Sequence, residues 1–272
     1  MSRSPDKIIR MDYYRNEENF KSLSGYDIDG MWFPRVTKIV EIKAKPALYK
    51  YYANLPNFEK GEEIKKQSAS EGTEIHEAVE YFLINQKEPE MRKEIRPAFD
   101  AFLKFYEQNK IQTDPEFVER RVANYDERFA GTIDAVALIN GKFGVLDIKT
   151  SVSIFRDYNL QTSAYAATLE KELPTLQTRW ILRIDQNQIC KKCYSTMRTK
   201  GGEEKIRLAW DARDKSVRIK AEKCQHEWSE QVGSVELKEF PYWENDFRAF
   251  LGAKKLWEWE NEYWLKKVGY LL

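Results

Sequence analysis

The amino-acid sequence predicts an α/β protein in which helices flank a mixed β-sheet. The central observation is the segment 129–150, where two apolar strands are joined by Asn140-Gly141, a dipeptide typical of a two-residue hairpin turn. Segments with apolar residues at helical spacing precede and follow this hairpin. A chain of 272 residues with 33% charged and 14% aromatic residues is typical of a folded protein with a sizeable core.

Composition narrows the classes of protein that fit. The formal net charge is only +1, so a nucleic-acid partner would have to bind through local basic patches. No run of about 18 apolar residues predicts a membrane span, and residues 1–15 lack the apolar core of a secretory signal. Three cysteines, an odd number, argue against a disulfide framework, and we expect a cytoplasmic location.

The remaining elements follow in order along a single domain, 1–272. Residues 1–30 show little periodicity and are expected to be loose or peripheral. We predict a helical region over 38–55, helices over 70–85, 89–110 and 153–173, and strands over 117–124 and 178–185. The core then covers about 70–185. A small β insertion is expected at about 186–234, with two strands in 204–221, and a long C-terminal helix at about 245–272.

The hairpin turn fixes which side chains face each other across the two strands. If Ile139 faces Lys142, then Asp134 lies opposite Asp147 on the same face of the sheet. The neighbouring residues are apolar, which suggests strands buried on both faces and little help from water. Two carboxylates so placed repel each other, and their hard oxygen ligands predict a Mg²⁺ or Mn²⁺ ion between them.

Two more polar side chains extend this row. Lys149 lies two residues after Asp147 and therefore points to the same face, where its ammonium can act on a water or a phosphate. If residues 126–127 form the preceding reversal, Glu119 faces Asp134 from the strand before. The sequence thus predicts carboxylates on three adjacent strands.

Four ordered motifs resemble the RecB-like branch of the PD-(D/E)xK nuclease superfamily. They cover about residues 34–185 and consist of Gly72-Thr73-x-x-His76, Gly131-x-x-Asp134, Asp147-x-Lys149-Thr150 and Gln161-x-x-x-Tyr165. The chain has Ile133 where a proline precedes the first aspartate in other branches. The resemblance implies a restriction-endonuclease-like core, a mixed sheet flanked by helices.

The same resemblance implies a metal-dependent nuclease that acts on DNA, an exonuclease or end-processing enzyme of recombination, replication or defence. Catalytic roles would fall to Asp134, Asp147, Lys149, Gln161 and Tyr165. The implied metal ligands are His76, Glu119, Asp134, Asp147 and the main-chain oxygen of Ile148. The alternatives are a nucleic-acid-binding module on a decayed nuclease fold, another metal-dependent phosphodiesterase and an RNA-directed nuclease.

All three cysteines fall within the predicted insertion. Some RecB-like nucleases hold an iron–sulfur cluster with one cysteine before the nuclease core, and this chain has none before Cys190. Cys190, Cys193, Cys224 and His226 instead have the composition of a Cys₃His zinc site, although the Cys-x-His half is tighter than usual. The alternative is three ordinary thiols. The aromatic face of the C-terminal helix is expected to pack in the core or against a protein partner or second copy.

Overall fold

A computed structural model of the chain describes residues 14–271. Its helices are α1 (Glu17–Ser24), α2 (Val36–Val40), α3 (Pro46–Ala53), α4 (Phe58–Asn85), α5 (Arg96–Gln108), α6 (Tyr158–Leu169), α7 (Lys215–Glu222), α8 (Glu244–Glu260) and α9 (Glu262–Lys267). Its strands are β1 (Gly25–Ile28), β2 (Met31–Pro34), β3 (Gln112–Asn124), β4 (Phe129–Ile139), β5 (Lys142–Lys149), β6 (Thr178–Ile189), β7 (Thr196–Lys200), β8 (Glu203–Arg207) and β9 (Val232–Glu239).

A mixed seven-stranded sheet flanked by helices forms the centre of the described part, as the α/β prediction requires. Its order is β3-β4-β5-β6-β7-β8, and β9 also pairs with β6. The strands β5 and β6 are parallel, and α6 connects them; the other pairs are antiparallel. The parallel pair brings the carboxyl ends of β5 and β6 to the same edge.

The central hairpin has the predicted register. Ile139 pairs with Lys142, and the pairing continues to Ala135 and Leu146. Asn140 and Gly141 both have positive φ, 52° and 78°, as a two-residue hairpin turn with Asn-Gly requires. Continued one residue beyond Ala135 and Leu146, the same register places Asp134 opposite Asp147.

Apolar clusters cover both faces of the sheet. On one face, Val136 and Val145 pack with residues of α6 and α8, including Phe250 and Trp257. On the other face, Leu146 lies in a cluster with residues of α4 and α5. Burial on both faces explains why these strands are almost continuously apolar.

A buried arginine ties the first of these layers together. The side chain of Arg179 in β6 is fully buried and forms an ion pair with Asp246 of α8. Its guanidinium also donates to the carbonyl oxygen of Asn159 at 2.6 Å and to the hydroxyl of Thr162 at 3.0 Å, both in α6. One cation thereby connects the sheet with both helices, and its several partners offset the cost of burying it.

The N-terminal segment differs from the expectation of a loose start. Residues 17–34 form α1 and a two-stranded sheet, and the ring of Phe20 is fully buried. Phe20 stacks with Trp257 and Trp264 of the C-terminal helices at centroid distances of 6.2 and 5.9 Å. These partners are more than 200 residues away in the sequence, which explains why local periodicity did not predict the packing. Residues 1–13, where part of the prediction falls, lie outside the described residues.

The C-terminal half requires three further corrections. The predicted second strand in 204–221 is wrong, because Lys215–Glu222 form a helix capped by Asp214. The predicted single helix at 245–272 is broken at Asn261 into α8 and α9. Since β6 continues to Ile189 and its partner β9 begins at Val232, the predicted insertion is an excursion between these two strands that spans 190–231 rather than 186–234, and β7 and β8 within it extend the sheet.

Two helices earlier in the chain also have different bounds. The helix predicted over 70–85 begins twelve residues earlier, at Phe58, where Asn57 accepts a hydrogen bond from the amide of Lys60. The helix predicted over 89–110 is confined to Arg96–Gln108. No helix in the described part of the chain combines the length and the apolar character needed to span a membrane.

Candidate active site and cysteine-histidine cluster

Two aspartates lie side by side where β4 and β5 pass between α4 and α6. Asp147 is 1% exposed. Asp134 directs its Oδ2 to the backbone N–H of Ile148, which donates to it at 2.5 Å. Asp134 also contributes to the raised pKa of Asp147, so the two carboxyl groups lie close enough to interact, as the hairpin register predicts.

Lys149 neutralises part of this acidic pair. Its Nζ lies 2.6 Å from Oδ2 of Asp147, but neither oxygen of Asp147 has a well-directed hydrogen bond. Burial raises the pKa of Asp147 to about 6, against the opposing effect of Lys149 and with a further contribution from Asp134. Burial also raises the pKa of Asp134. Asp147 is therefore a buried carboxylate whose hydrogen-bonding capacity is largely unused.

Glu119 joins the row from β3, in the predicted register. Arg120 pairs with Ile133 and Val118 with Ala135, which places Glu119 opposite Asp134. Glu119 itself has a φ of 49°, an uncommon conformation for a residue other than glycine. Its side chain retains solvent exposure, yet burial of the carboxyl group, Asp134 and Glu80 raise its pKa to about 7. The three strands therefore contribute a carboxyl group each.

The helix α4 reaches this site because Gly72 has no side chain. A Cβ atom at Gly72 would lie 2.6 Å from Oγ1 of Thr150, at the end of β5. One turn later, His76 faces the site: burial, Lys149 and Lys200 lower its pKa to about 4, although Asp147 and the backbone of Ile148 act in the opposite direction. His76 is therefore a neutral imidazole beside both Asp147 and Lys149.

Glu80 is a further carboxylate near the site that the sequence analysis did not identify. Glu80 lies one helical turn after His76 on the same face of α4. Burial, Glu77 and Asp134 raise its pKa. The spacing of four residues from His76 was the signal that could have indicated it.

The helix α6 covers the site from the other side. The amide of Gln161 donates to the hydroxyl of Tyr165 at 3.2 Å. A Cβ atom at Gly131 would lie 2.5 Å from the Tyr165 ring, so the glycine makes room for it. Burial raises the pKa of Tyr165, and Asp147 and Asp134 raise it further. Gln161 and Tyr165 therefore lie at the predicted site. The hydroxyl of Tyr165 is neutral and lies near the charges of Asp147 and Asp134.

Two cationic contacts were also missed from the sequence. The Nζ of Lys149 lies 5.4 Å from the ring centroid of Tyr158, at the start of α6. Lys200, at the end of β7, donates to the carbonyl oxygen of Thr150. Burial and Arg198 lower the pKa of Lys200 to about 8. No sequence motif links Lys200 to Lys149. The two residues are brought near each other by the strands between them, which determine where the β7–β8 hairpin returns to the sheet.

The acidic site is an open arrangement rather than a closed cage. Its carboxylates come from four elements. Among the described residues, their oxygen atoms do not lie as close together as the ligand atoms of a closed metal site. Their oxygens engage Lys149 and the amide of Ile148 instead. Chemically, the site offers hard oxygen donors, one buried ammonium and a neutral imidazole around one point at the end of the sheet.

The four cysteine and histidine ligands converge as predicted. Sγ of Cys190, Cys193 and Cys224 and a ring nitrogen of His226 all lie within 4.8 Å of one another. Each cysteine is free, and two of the three are buried. This cluster is separate from the carboxylate site in the sequence and lies at the base of the 190–231 excursion.

Comparison of the chain with models of known protein families and with the sequences of curated proteins found no match.

Proposed function

We propose that this protein is a metal-dependent nuclease that acts on DNA. The observation that carries the proposal is Asp147, a buried carboxylate beside Asp134; Oδ1 of Asp147 has no hydrogen-bond partner among the described residues, and its Oδ2 forms an ion pair with Lys149. A fold tolerates an unsatisfied buried carboxylate only at a cost, and such groups are concentrated at functional sites. A divalent cation and a phosphate would supply the missing partners.

The residues present fit Mg²⁺ or Mn²⁺. Asp134 and Asp147 would hold the ion, with Glu119, His76 and the main-chain oxygen of Ile148 able to complete or enlarge its surroundings. Glu80 adds a fourth carboxylate beside Glu119 and Asp134. A bound divalent cation would neutralise phosphate charge and lower the pKa of an attacking water.

The chain's own side chains would share the remaining work. The ammonium of Lys149 lies within contact distance of Asp147 and would orient the attacking water or stabilise charge on the phosphate. Tyr165 and Gln161 would position this strand end through their mutual hydrogen bond. Lys200 would offer a second cation to the phosphate backbone of a bound strand.

The proposal extends to the fold and its biological setting. A mixed sheet with acidic residues on three neighbouring strands and helices on both faces is compatible with a restriction-endonuclease-like core. Together with the resemblance of the four motifs, this favours an exonuclease or end-processing enzyme over an unrelated phosphodiesterase. The cytoplasmic location stays a prediction of the sequence.

The test is a cleavage assay with Mg²⁺ or Mn²⁺ on four substrates: end-labelled linear duplex DNA, single-stranded DNA, covalently closed circular DNA and RNA of the same sequence. We expect cleavage of DNA, with linear substrates favoured over closed circles if the enzyme acts from ends. Lys149→Ala should reduce the rate by about 100-fold or more. Lys142→Ala is the matched control, because Lys142 begins the same strand and pairs with Glu239 away from the site.

Cleavage of RNA but not of DNA would show that the substrate is RNA, and the roles assigned to the catalytic residues would stay the same. No cleavage of any substrate with either metal, or wild-type activity in Lys149→Ala, would contradict the proposed function.

A further inference from the structure

Two ligand–ligand distances in the cysteine-histidine cluster match those of a tetrahedral zinc site. Zinc bonds of about 2.3 Å to sulfur and 2.0 Å to nitrogen place two sulfurs about 3.8 Å apart and a sulfur and a nitrogen about 3.5 Å apart. Sγ of Cys190 and Sγ of Cys224 are 3.8 Å apart, and Sγ of Cys193 lies 3.4 Å from Nδ1 of His226. Both distances match the edges of a zinc tetrahedron.

The backbone prepares the first pair of ligands. A tight turn carries Cys190 and Cys193: the amide of Tyr194 donates to the carbonyl oxygen of Cys190 at 2.9 Å, and Tyr194 has a φ of 62°. This turn directs both thiols to the same side.

The second pair arrives from the other end of the excursion. Cys224 follows α7, and His226 precedes Trp228, which forms a β-bridge with Cys190. The amide of Lys191 donates to the carbonyl oxygen of Glu227 at 2.9 Å. The two ligand pairs, more than 30 residues apart in sequence, are thus held together by backbone contacts on both sides of the cluster.

A disulfide and ordinary apolar packing both account for this cluster less well than a metal does. The sulfur–sulfur distance of 3.8 Å far exceeds the bond length of about 2.05 Å in a disulfide. Apolar packing is thin: in the described part of the chain, the buried cluster here consists of Cys190, Cys193 and Ala221, and only partly buried residues such as Leu208 and Trp228 pack against it. A segment of this length with so small a core is typical of one stabilised by a metal.

The excursion also reaches the proposed active site. Arg198 of β7 donates to the carbonyl oxygen of Thr150 at 3.1 Å, and Lys200 donates to the same oxygen. At the tip of the β7–β8 hairpin, the amide of Gly201 lies 3.2 Å from both carboxylate oxygens of Glu71 in α4. The turn that carries Cys190 and Cys193 lies at the base of this hairpin. An interaction that holds this turn in place therefore also holds the hairpin against the end of β5.

We propose that Cys190, Cys193, Cys224 and His226 bind one structural Zn²⁺, which anchors the β7–β8 hairpin against α4 and the end of β5. All four ligands come from the protein, so the site is closed and has no position for substrate. The assignment is independent of the proposed nuclease activity, since it concerns a different set of residues and is measured by metal content.

Metal analysis tests the site directly. Wild-type protein, reconstituted with zinc under reducing conditions and freed of loosely bound metal by gel filtration, should contain about one zinc per chain. The chain has only two histidines, which provide a matched pair of variants. His226→Ala should lose the zinc, whereas His76→Ala should retain it although it alters the other site.

A measurement on the wild-type protein covers the case in which His226→Ala fails to fold. An organomercurial that reacts with thiolates should release about one equivalent of zinc per chain into a chelating dye, because three of the four ligands are cysteines. A zinc ion held by the carboxylates would not be released by this reagent.

Several outcomes would overturn the assignment. These are a zinc content well below one per chain in reconstituted wild-type protein, iron in place of zinc after expression with both metals, or zinc that the mercurial does not release. Retention of zinc by His226→Ala together with its loss from His76→Ala would place the ion at the carboxylate site instead. A failure of DNA cleavage would leave the zinc assignment intact.

Discussion

The two clusters of candidate ligands differ in how tightly the fold draws them together. The cysteine-histidine cluster is closed, with four ligand atoms within 4.8 Å of one another. The carboxylate site is open: its acidic groups come from α4, β3, β4 and β5, and Asp147 lies against Lys149. The first arrangement suits an ion that stabilises the fold, and the second suits an ion that shares its coordination with a substrate.

The difference follows from how the ligand groups of each cluster interact with one another when no metal is bound. The thiols and imidazole of the closed cluster have weak mutual interactions, so backbone contacts can gather them at little cost. Burial raises the pKa values of Asp134, Asp147, Glu80 and Glu119, and repulsion between neighbouring carboxylates raises those of the last three further. Four such groups stay close only when a cation such as Lys149, or protonation, relieves the repulsion.

The largest expected effect separates the two roles within the open site. Under the proposed function, Asp147→Asn and Lys149→Ala should each lower DNA cleavage by about 100-fold or more, because the first would remove a metal ligand and the second a group that acts on water and phosphate. In a thermal-shift titration with Mn²⁺, Lys149→Ala should keep the metal-induced stabilisation and Asp147→Asn should lose most of it. Asp126→Asn, an exposed aspartate paired with Lys171, is the control. Equal responses of both variants to Mn²⁺ would contradict the division of roles.

Removal of metal from the closed cluster should act on the fold instead of the chemistry. In the zinc-free protein, amide protection from hydrogen exchange should fall by roughly tenfold or more across β7 and β8. Protection in β4 and β5 should change much less, because Val136, Val145 and Leu146 lie in the apolar clusters of the central sheet. Unchanged protection in the hairpin after zinc removal would argue that backbone contacts alone hold it.

Stability in the absence of metal should report the repulsion in the open site. The folded-state pKa of Asp147 is about 6, above its ordinary value of 3.8. The folded protein therefore binds the proton more tightly than the unfolded chain, and stability falls as pH rises from about 4 to 6. The unfolding free energy of Asp147→Asn minus that of wild type should therefore increase by about 2 kcal/mol from pH 4 to pH 7.5. Both proteins are treated with a chelator before the measurement.

Urea denaturation at these two pH values measures that difference. Asp126→Asn serves again as the control, since this side chain is largely exposed and should show no such change. A constant difference between Asp147→Asn and wild type at both pH values would show that Asp147 carries no burial penalty.

The smallest effect is expected from the carboxylate that the sequence did not indicate. Glu80→Gln should raise the Mn²⁺ concentration needed for half-maximal cleavage by several-fold, because Glu80 lies beside Asp134 and Glu119 without being one of the two central aspartates. Glu77→Gln is the matched control on the same helix. An equal shift in both variants would indicate a general charge effect.

Local rules predicted the central hairpin and much of the site. The Asn140-Gly141 turn fixed the register, and alternation along the strands then placed Asp134, Asp147 and Lys149 on one side. Gly72 and Gly131 belonged to the motifs, but only the structure gives their reason: each allows a close approach, to Thr150 and to Tyr165. Sequence patterns report periodicity and do not reveal which distant atom needs the space.

Elements governed by distant partners were predicted less well. Residues 1–30 show little periodicity, yet Phe20 is buried against tryptophans of the last two helices. The segment 215–222 is polar enough to fit several structures, and its helix begins where Asp214 caps the amide of Ser216. The packing of Phe20 in particular depends on contacts that a local window does not contain.

The sequence by itself determined the α/β class, the hairpin register and the two sets of candidate ligands, because each depends on spacings of a few residues. Tertiary structure decided how the sets differ. It brought the two ligand pairs of the cysteine-histidine cluster together across more than 30 residues, and it placed Lys200 beside a strand end to which no sequence spacing connects it. Chain geometry fixes which side chains are neighbours over one turn or hairpin, whereas convergence of separate elements depends on how their apolar faces pack.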